Sequence, residues 1–251
     1  MHRLKDRLCT WLCLAIASTT LLAQPAAADD LPARRLHVFI PIPATANRPP
    51  GEENQHEVIF TNVGERPVIS THTYYPADQP AFRFAKTFFE PGDTDLIERT
   101  DSSGWLPMLE EFGASPDVVF SSRFIANLAD GTEVPYRLPV FTEDDAYTEG
   151  TTASLQLVPS LAAGSIELAI FSLAGKPATC TVGAFDGNGA NRATSTLALP
   201  PGPWLASHTF SPGATPISYL RVSCNGPFFV FATRFDSANP EFVWPGKADV
   251  P

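Results

Sequence analysis

Basic side chains are scarce in this sequence of 251 residues. Lys and Arg together number 17 against 27 Asp and Glu, which gives a formal net charge of −10 at pH 7. Nucleic acids and anionic lipid surfaces attract proteins mainly through clustered cations. We therefore expect no nucleic-acid partner and no binding to an anionic membrane surface.

Sulfur-containing residues are also few, with four Cys and two Met. Cys9 and Cys13 lie near the amino terminus, which leaves Cys180 and Cys224, 44 positions apart (180 against 224). Two thiols alone make a poor zinc site, whereas an isolated pair in an exported chain indicates one disulfide. We predict a disulfide between Cys180 and Cys224.

Residues 1–28 have the three parts of a secretion signal. A basic start is followed by an apolar run and by three small residues at 26–28. The apolar run is shorter than the roughly 20 residues that cross a bilayer. We predict that residues 1–28 are a signal peptide, that the protein is exported to the periplasm or the outside of the cell, and that no membrane span remains after cleavage.

Short sequences recur along the chain at a nearly constant offset. FSSRF at 120–124 matches FATRF at 231–235, and IFTNVGERP at 59–67 matches IFSLAGKP at 170–177, both at an offset of 111 (120 against 231, 59 against 170). Repeats of this length exceed solenoid units and are large enough for a core of their own. We predict a tandem duplication, with domain 1 at 36–142, a linker at 143–151 and domain 2 at 152–246.

β-Branched and aromatic residues form short runs that Gly, Pro, Asn and Asp separate. These runs predict strands at 58–60, 68–75, 82–89, 118–125, 166–173, 179–185, 194–199, 217–223 and 228–235. With 25 Pro and 16 Gly, long helices have little room. Only GWLPMLEEFG at 104–113 has apolar residues at helical spacing, which predicts one or two helical turns.

About seven short strands per repeat of about 100 residues are typical of an immunoglobulin-like or fibronectin-III-like sandwich. We therefore predict an all-β protein of two tandem immunoglobulin-like antiparallel β-sandwiches. In the second sandwich, Phe229, Phe231 and Phe235 are expected to face the core, because alternate strand residues share a face.

The run VFIPIPATANRPPGEENQHEVIFTNVGERPV resembles the start of immunoglobulin-like modules in exported bacterial proteins, many of which have no assigned activity. The chain is also similar to the two-domain periplasmic chaperones of pilus assembly in its signal peptide and length. The turns at Asn62-Val63-Gly64 and Pro91-Gly92 share in that similarity. This second resemblance implies a protein that lends a strand edge to a partner.

Residues with metal-binding chemistry are spread thinly. His37, His56 and His72 would form a metal site only if the first strands lie side by side, and they are otherwise strand-surface histidines. Glu143, Asp144 and Asp145 are weak calcium candidates at the domain junction. The stretch Asp186–Asn191 begins like a calcium loop but lacks the terminal glutamate, so we predict a tight hairpin there.

Catalytic motifs are missing from the sequence: no GxSxG and no HExxH occurs. We predict no cofactor and no enzymatic activity. Five aromatic residues would suggest a carbohydrate-binding surface if they are exposed: Tyr74, Tyr75, Trp105, Trp204 and Trp244.

Alternation in FSSRF and FATRF places Arg123 and Arg234 on an outer face if the phenylalanines face the core. Each arginine then either pairs with a carboxylate across the strands or forms an equivalent ligand site in each domain. We expect an exported, non-enzymatic protein that acts in surface recognition, in adhesion or as a structural module, with an unknown protein or glycan ligand. The alternatives are a pilus-chaperone-like protein and, third, a secreted hydrolase.

Overall fold

The computed structural model describes residues 36–41, 55–100, 107–114, 118–127, 130–157, 165–211, 216–235 and 240–245. The strands before residue 143 are β1 (Leu36–Pro41), β2 (Gln55–Asn62), β3 (Val68–Pro76), β4 (Phe82–Phe89), β5 (Thr94–Thr100), β6 (Pro107–Ala114), β7 (Val118–Asn127), β8 (Glu133–Leu138) and β9 (Phe141–Thr142). The strands after it are β10 (Thr152–Gln156), β11 (Ile166–Ser172), β12 (Ala178–Phe185), β13 (Asn191–Leu199), β14 (Trp204–Phe210), β15 (Tyr219–Cys224), β16 (Phe228–Phe235) and β17 (Pro240–Val243). A 3-10 turn at Glu143–Asp145 lies between the two sets.

The strands form four antiparallel sheets, which we number by their place in the fold. Sheet I has the order β4-β3-β6-β1-β9, and sheet II has β5-β2-β7-β8. Sheet III has β14-β11-β16-β17, and sheet IV has β10-β15-β12-β13. The protein is thus all-β, as predicted from the short apolar runs. In the part of the chain that the structure describes, no helix is long and apolar enough to cross a membrane.

Four clusters of buried side chains hold the sheets together. Val58 and Phe60 of sheet II pack with Val38 and Ile40 of sheet I, and a larger core fills the space between sheets III and IV. A third cluster joins the outer faces of sheets I and III, where Phe39 meets Phe171 and Phe229. These three clusters place the sheets in the order II, I, III, IV, and a fourth, smaller cluster brings Phe124 of sheet II against Phe242 of sheet III. Among the described residues, no further sheet covers the outer faces of sheets II and IV.

Strands β1–β8 and β10–β17 pair in the same order. Sheet I without β9 corresponds to sheet IV, and sheet II corresponds to sheet III. This likeness is what a tandem duplication would produce, although the domain boundaries at 36–142 and 152–246 stay a prediction. The immunoglobulin order places the first strand in a sheet with the second and the fifth. Here β1 lies with β3, β4 and β6 instead, so the resemblance to immunoglobulin-like modules is not confirmed at the level of strand order.

The expectation of helical turns at 104–113 is wrong, because Pro107–Ala114 forms strand β6. This strand lies inside sheet I, with β1 on one side and β3 on the other. Backbone hydrogen bonds to two neighbours outweigh the weak local preference that the apolar spacing suggested. The predicted strands, in contrast, are confirmed within a few residues, and the 186–191 hairpin joins β12 to β13 as expected.

The predicted orientation of strand β16 is also wrong. Phe228, Val230 and Ala232 face the core between sheets III and IV, whereas Phe229 and Phe231 lie in the cluster against sheet I. The side chain of Phe235 lies outside the described part. Both faces of sheet III are covered, so apolar residues lie on both sides of its strands. Alternation of apolar and polar residues therefore cannot predict which side chains of β16 face sheet IV.

Candidate functional site

In the part of the chain that the structure describes, no other element covers the outer face of sheet IV, and this face is rich in hydroxyl groups. Strand pairing arranges its side chains in cross-strand rows, in which neighbours lie about 4.8 Å apart across the strands and about 6.7 Å apart along them. The first row is Thr152, Ser223, Thr181 and Thr196, the second is Ser154, Arg221, Gly183 and Thr194, and the third is Gln156, Tyr219 and Phe185. We call these three rows the hydroxyl face. They contain no carboxylate, although the chain as a whole carries a net charge of −10.

A stacked aromatic pair occupies one end of the hydroxyl face. The rings of Phe185 and Tyr219 are nearly parallel, with centroids 4.9 Å apart and an interplanar angle of 4°. A Cβ atom at Gly183 would lie only 2.7 Å from Cε2 of Phe185. Glycine at this position therefore lets the Phe185 ring lie across the second row, which fixes the pair on the sheet surface.

Arg221 lies over this aromatic pair. Its Cζ atom is 5.4 Å from the centroid of Phe185 and 5.5 Å from that of Tyr219. A guanidinium on aromatic rings keeps its N–H donors at the edge of the group, where a ligand can reach them. Among the described residues no carboxylate pairs with Arg221, and the side chain is exposed.

The hairpin beside the face satisfies its own polar groups. The Asp186 carboxylate accepts hydrogen bonds from the backbone N–H of Asn188 and Ala190 and from the guanidinium of Arg192. The Arg192 hydrogen bond, with those backbone donors, holds the pKa of Asp186 below its usual range, although burial opposes this. Next to the hairpin, the side-chain amide of Asn191 donates to Thr194 at 2.9 Å. The predicted hairpin therefore has a carboxylate that is already engaged within the protein.

The disulfide lies directly beneath the hydroxyl face. Cys180 on β12 stands opposite Cys224 on β15, with Cα atoms 4.1 Å apart, and the two form the predicted bond. Both residues are buried in the core between sheets III and IV. The bond therefore links the two central strands that carry Arg221, Tyr219 and Phe185.

The two arginines predicted to be equivalent are not. Arg123 is exposed on the outer face of sheet II and pairs with Glu57 on the neighbouring strand, which raises the pKa of the guanidinium further. Arg234 is buried and stands opposite Ile166, a residue of the core between sheets III and IV. The outer-face position is therefore correct for Arg123 and wrong for Arg234.

An offset of 110 explains the error. Phe60 and Ile170 (60 against 170) both face inward, as do Val118 and Phe228 (118 against 228). Counted in this way, Arg123 corresponds to Thr233, and Glu57 corresponds to Glu167. The similar pentapeptides align at an offset of 111, whereas the inward-facing residues of the two halves align at 110. A shift of one residue moves every side chain of a strand to the opposite face of the sheet.

The predicted calcium residues form part of the 3-10 turn. Glu143 and Asp144 are exposed, while Asp145 accepts hydrogen bonds from the backbone N–H of Thr142 at 2.9 Å and from its hydroxyl at 3.0 Å. Within the described ranges, no three His, Cys, Asp or Glu side chains are placed to hold one metal ion. Calcium binding at 143–145 stays a prediction.

Two Ser–His pairs are present that the sequence alone does not single out. His56 Nε2 shares a hydrogen bond with the hydroxyl of Ser122 at 3.0 Å, and His208 Nε2 shares one with Ser195 at 2.9 Å. The first pair is buried, so a substrate does not reach it in this structure. No carboxylate among the described residues pairs with His208, which leaves the second pair without the third group of a triad. The side chains of His37 and His72 lie outside the described part.

The aromatic residues predicted for carbohydrate binding lie elsewhere in the fold. Tyr74 and Tyr75 are buried in two different clusters, and Trp204 packs against the core between sheets III and IV. Trp244 is 37% exposed, and Trp105 lies outside the described residues. The aromatic pair on the hydroxyl face was missed because Phe185 and Tyr219 become neighbours only through the pairing of β12 with β15. Alternate threonines in Thr179-Cys180-Thr181 and Thr194-Ser195-Thr196 were the available signal.

The sequence matches no protein-family model and no curated protein. Among solved structures, the chain is similar to the apo form of a Pleurotus ostreatus lectin. The two share 12% sequence identity over 86% of this chain and 79% of the lectin chain, with a TM-score of 0.21. A TM-score this low carries no argument about the fold or the function.

Proposed function

We propose that this protein is an exported, non-enzymatic recognition protein that binds glycans through the hydroxyl face of sheet IV. The single observation that carries the proposal is the composition of that uncovered face: hydroxyl and amide side chains in register, an aromatic pair at one end and no carboxylate. The predicted signal peptide and the Cys180–Cys224 disulfide support export, because disulfides persist in oxidising compartments.

The chemistry of the face favours a saccharide over other ligands. Neutral hydroxyls and amides can exchange hydrogen bonds with sugar hydroxyls, and their desolvation costs less than that of charged groups. Arg221 is the one charged side chain in the three rows of the face. Aromatic rings offer apolar surface to the C–H groups of a sugar ring. A protein interface, in contrast, depends on a buried apolar centre in which Ser and Thr contribute little, and nucleic acid needs many cations.

A glycan array probed with the full chain tests the proposal. We expect the wild-type protein to bind a subset of glycans and the double variant Thr181→Lys, Thr196→Lys to lose that binding, because two long charged side chains would cover the first row. Ser121→Lys is the matched control, since Ser121 is exposed on the outer face of sheet II. Thermal unfolding of each variant verifies that the fold is intact.

The proposal fails if the wild-type protein binds no glycan, or if the double variant binds as the wild type does. Equal loss in Ser121→Lys would place binding elsewhere and would also contradict it. The pilus-chaperone and hydrolase alternatives stay predictions, and co-purification with a fibre subunit is the test of the first.

A further inference from the structure

Four described arginines lie on the outer faces of sheets or in their hairpins, and they differ in their partners. Arg137 stands opposite Arg123 on sheet II and, among the described residues, has neither a carboxylate nor an aromatic ring as a partner. Arg123 pairs with Glu57, and Arg192 pairs with Asp186. Arg221 instead lies over the rings of Phe185 and Tyr219, and no carboxylate within the described part pairs with it. A cation that is oriented by aromatic rings and lacks an internal counter-ion is prepared for an anion from outside the protein.

The position of Arg221 makes it the centre of the hydroxyl face. It stands between Ser154 on one neighbouring strand and Gly183 on the other, with rows of hydroxyl and aromatic side chains on either side. Because Gly183 has no side chain, no polar side chain stands beside the guanidinium on strand β12. An anion bound here would therefore be flanked by the groups to which we assign the uncharged part of a glycan.

The charge of the chain limits how acidic that ligand can be. A polyanion would have to approach a protein with a formal net charge of −10, and the face offers it one guanidinium among uncharged side chains. A single carboxylate avoids most of this repulsion, since separate charges are screened beyond about 8 Å at physiological ionic strength. The planar guanidinium can also bind the two oxygens of a carboxylate together.

We propose that the ligand is an otherwise neutral saccharide that bears one carboxylate, and that Arg221 binds this carboxylate. This inference rests on the proposed glycan binding by the hydroxyl face. Phe185 and Tyr219 hold the guanidinium in place, while the threonine and serine rows bind the neutral sugar units.

Calorimetric titration of the full chain with three probes tests the inference: sialyllactose, its carboxylate methyl ester, and lactose. The methyl ester keeps the sugars and removes the charge. We expect sialyllactose to bind at least about tenfold more tightly than its ester, as for a hydrogen bond to a charged group. Arg221→Gln should abolish that difference, and Arg221→Lys should retain part of it because the charge remains without the planar fork. Arg137→Gln, at an exposed arginine on β8, is the control and should leave the difference intact.

Two results would overturn the inference: equal affinity of the wild-type protein for the acid and the ester, or a preference for the acid that survives in Arg221→Gln. If the neutral probes bind and Thr181→Lys, Thr196→Lys abolishes their binding while the charge makes no difference, only the role of Arg221 fails. If none of the three probes binds and the glycan array is blank, the proposed function fails as well.

Discussion

Sheets I and IV have corresponding strand orders, but their outer faces differ: that of sheet I is buried against sheet III, and that of sheet IV carries the hydroxyl face. On sheet I, Phe39 and Tyr75 pack against sheet III, with ring centroids 5.5 Å and 4.9 Å from that of Phe171. On sheet IV, Ser154 stands where Phe39 would be, since each lies between two inward-facing residues of corresponding strands, and Phe185 takes the place of Tyr75. One face has become an internal layer of the protein, and the other has remained a surface.

This difference leaves the hydroxyl face suited to contact with solvent, and it supports the polar ligand that we propose for it. Burying an aromatic side chain stabilises a fold by about 1.5–3 kcal/mol, and sheet I uses its outer face in this way. Serine and threonine on sheet IV give up that stabilisation. The large aromatic residues in the three rows of the hydroxyl face are Phe185 and Tyr219, both at one end. The face therefore offers little apolar area for stacking with another copy of the chain, because exposed apolar patches drive association.

The β3–β4 hairpin of sheet I and the β12–β13 hairpin of sheet IV also differ in whether they contact another sheet. In the β3–β4 turn, Asp78 reaches across to β14, where it accepts a hydrogen bond from the backbone N–H of Ser207 at 3.2 Å, and its own N–H donates to the carbonyl of Leu205 at 2.8 Å. Asp78 adopts a φ of 56°, which is uncommon for a residue with a side chain. In the β12–β13 turn, the partners of the Asp186 carboxylate among the described residues all belong to its own hairpin. The first turn links sheet I to sheet III through hydrogen bonds. The second turn makes no such link through Asp186 among the described residues.

The largest expected effect comes from a substitution in the buried layer between sheets I and III. Phe171→Ala should lower the free energy of unfolding by about 3–5 kcal/mol, because Phe171 is fully buried among aromatic rings and its loss would leave a cavity. Phe185→Ala, on the uncovered face, should cost about 1 kcal/mol. Urea denaturation followed by tryptophan fluorescence measures both values. Equal costs for the two substitutions would show that the two faces do not differ as described.

The second prediction concerns the disulfide, which only sheet IV has among the described residues. Replacing both Cys180 and Cys224 by alanine should lower the free energy of unfolding by about 2–4 kcal/mol, since the bond closes a loop between residues 44 apart. Hydrogen exchange should become faster in β12 and β15 and stay unchanged in β3 and β6, the corresponding strands of sheet I. Reductant added to the wild-type protein should reproduce the loss, and an unchanged unfolding midpoint under reductant would contradict the prediction.

Many strands could be predicted from the sequence because their apolar letters are dense. The strand runs that we predicted do not include β1, β5, β6, β8, β9, β10, β14 and β17. In β5 and β14, for example, TDLIERT and WLASHTF mix polar, small and apolar residues and show no clean alternation. β6 was mistaken for helical turns because its apolar residues recur at helical spacing, and only its pairing with β1 and β3 decides the outcome. Long-range pairing is the term that single-sequence reasoning lacks.

The candidate site depends on register, which a sequence repeat can misplace. FSSRF and FATRF share letters at an offset of 111, whereas the inward-facing residues correspond at 110, as Phe89 and Leu199 also do (89 against 199). The hydroxyl face needs the register of four strands that are distant along the chain, and threonine is common on any exposed strand. The disulfide was predictable because Cys180 and Cys224 had no other partners after the signal segment was set aside.

The smallest expected effect concerns the hairpin between β12 and β13, and it is the pH dependence of the stability that Asp186 contributes. The pKa of Asp186 is lowered in the folded protein, chiefly by the hydrogen bond from Arg192, so the folded state binds fewer protons than the unfolded state in this range. The stabilisation is therefore fully present above the ordinary carboxyl pKa of about 3.9 and is lost as the pH falls through the lower folded value. Asp186→Asn has no such titration, although its amide oxygen can still accept from Asn188 and Ala190.

Melting temperatures measured between pH 2 and pH 7 test this point. The wild-type protein should melt at a higher temperature than Asp186→Asn near neutral pH. The gap should shrink as the pH falls below about 4, where Asp186 of the unfolded chain takes up a proton, and should be lost as the pH falls through the lower folded pKa. Other carboxylates titrate in both proteins and cancel in the difference. Arg192→Gln serves as the matched control, because it removes the main cause of the lowered pKa of Asp186. At neutral pH, the melting temperatures of Arg192→Gln and of the double variant Arg192→Gln, Asp186→Asn should differ less than those of the wild type and Asp186→Asn. A gap that stays constant over the whole range would mean that the Asp186–Arg192 pair does not hold this hairpin.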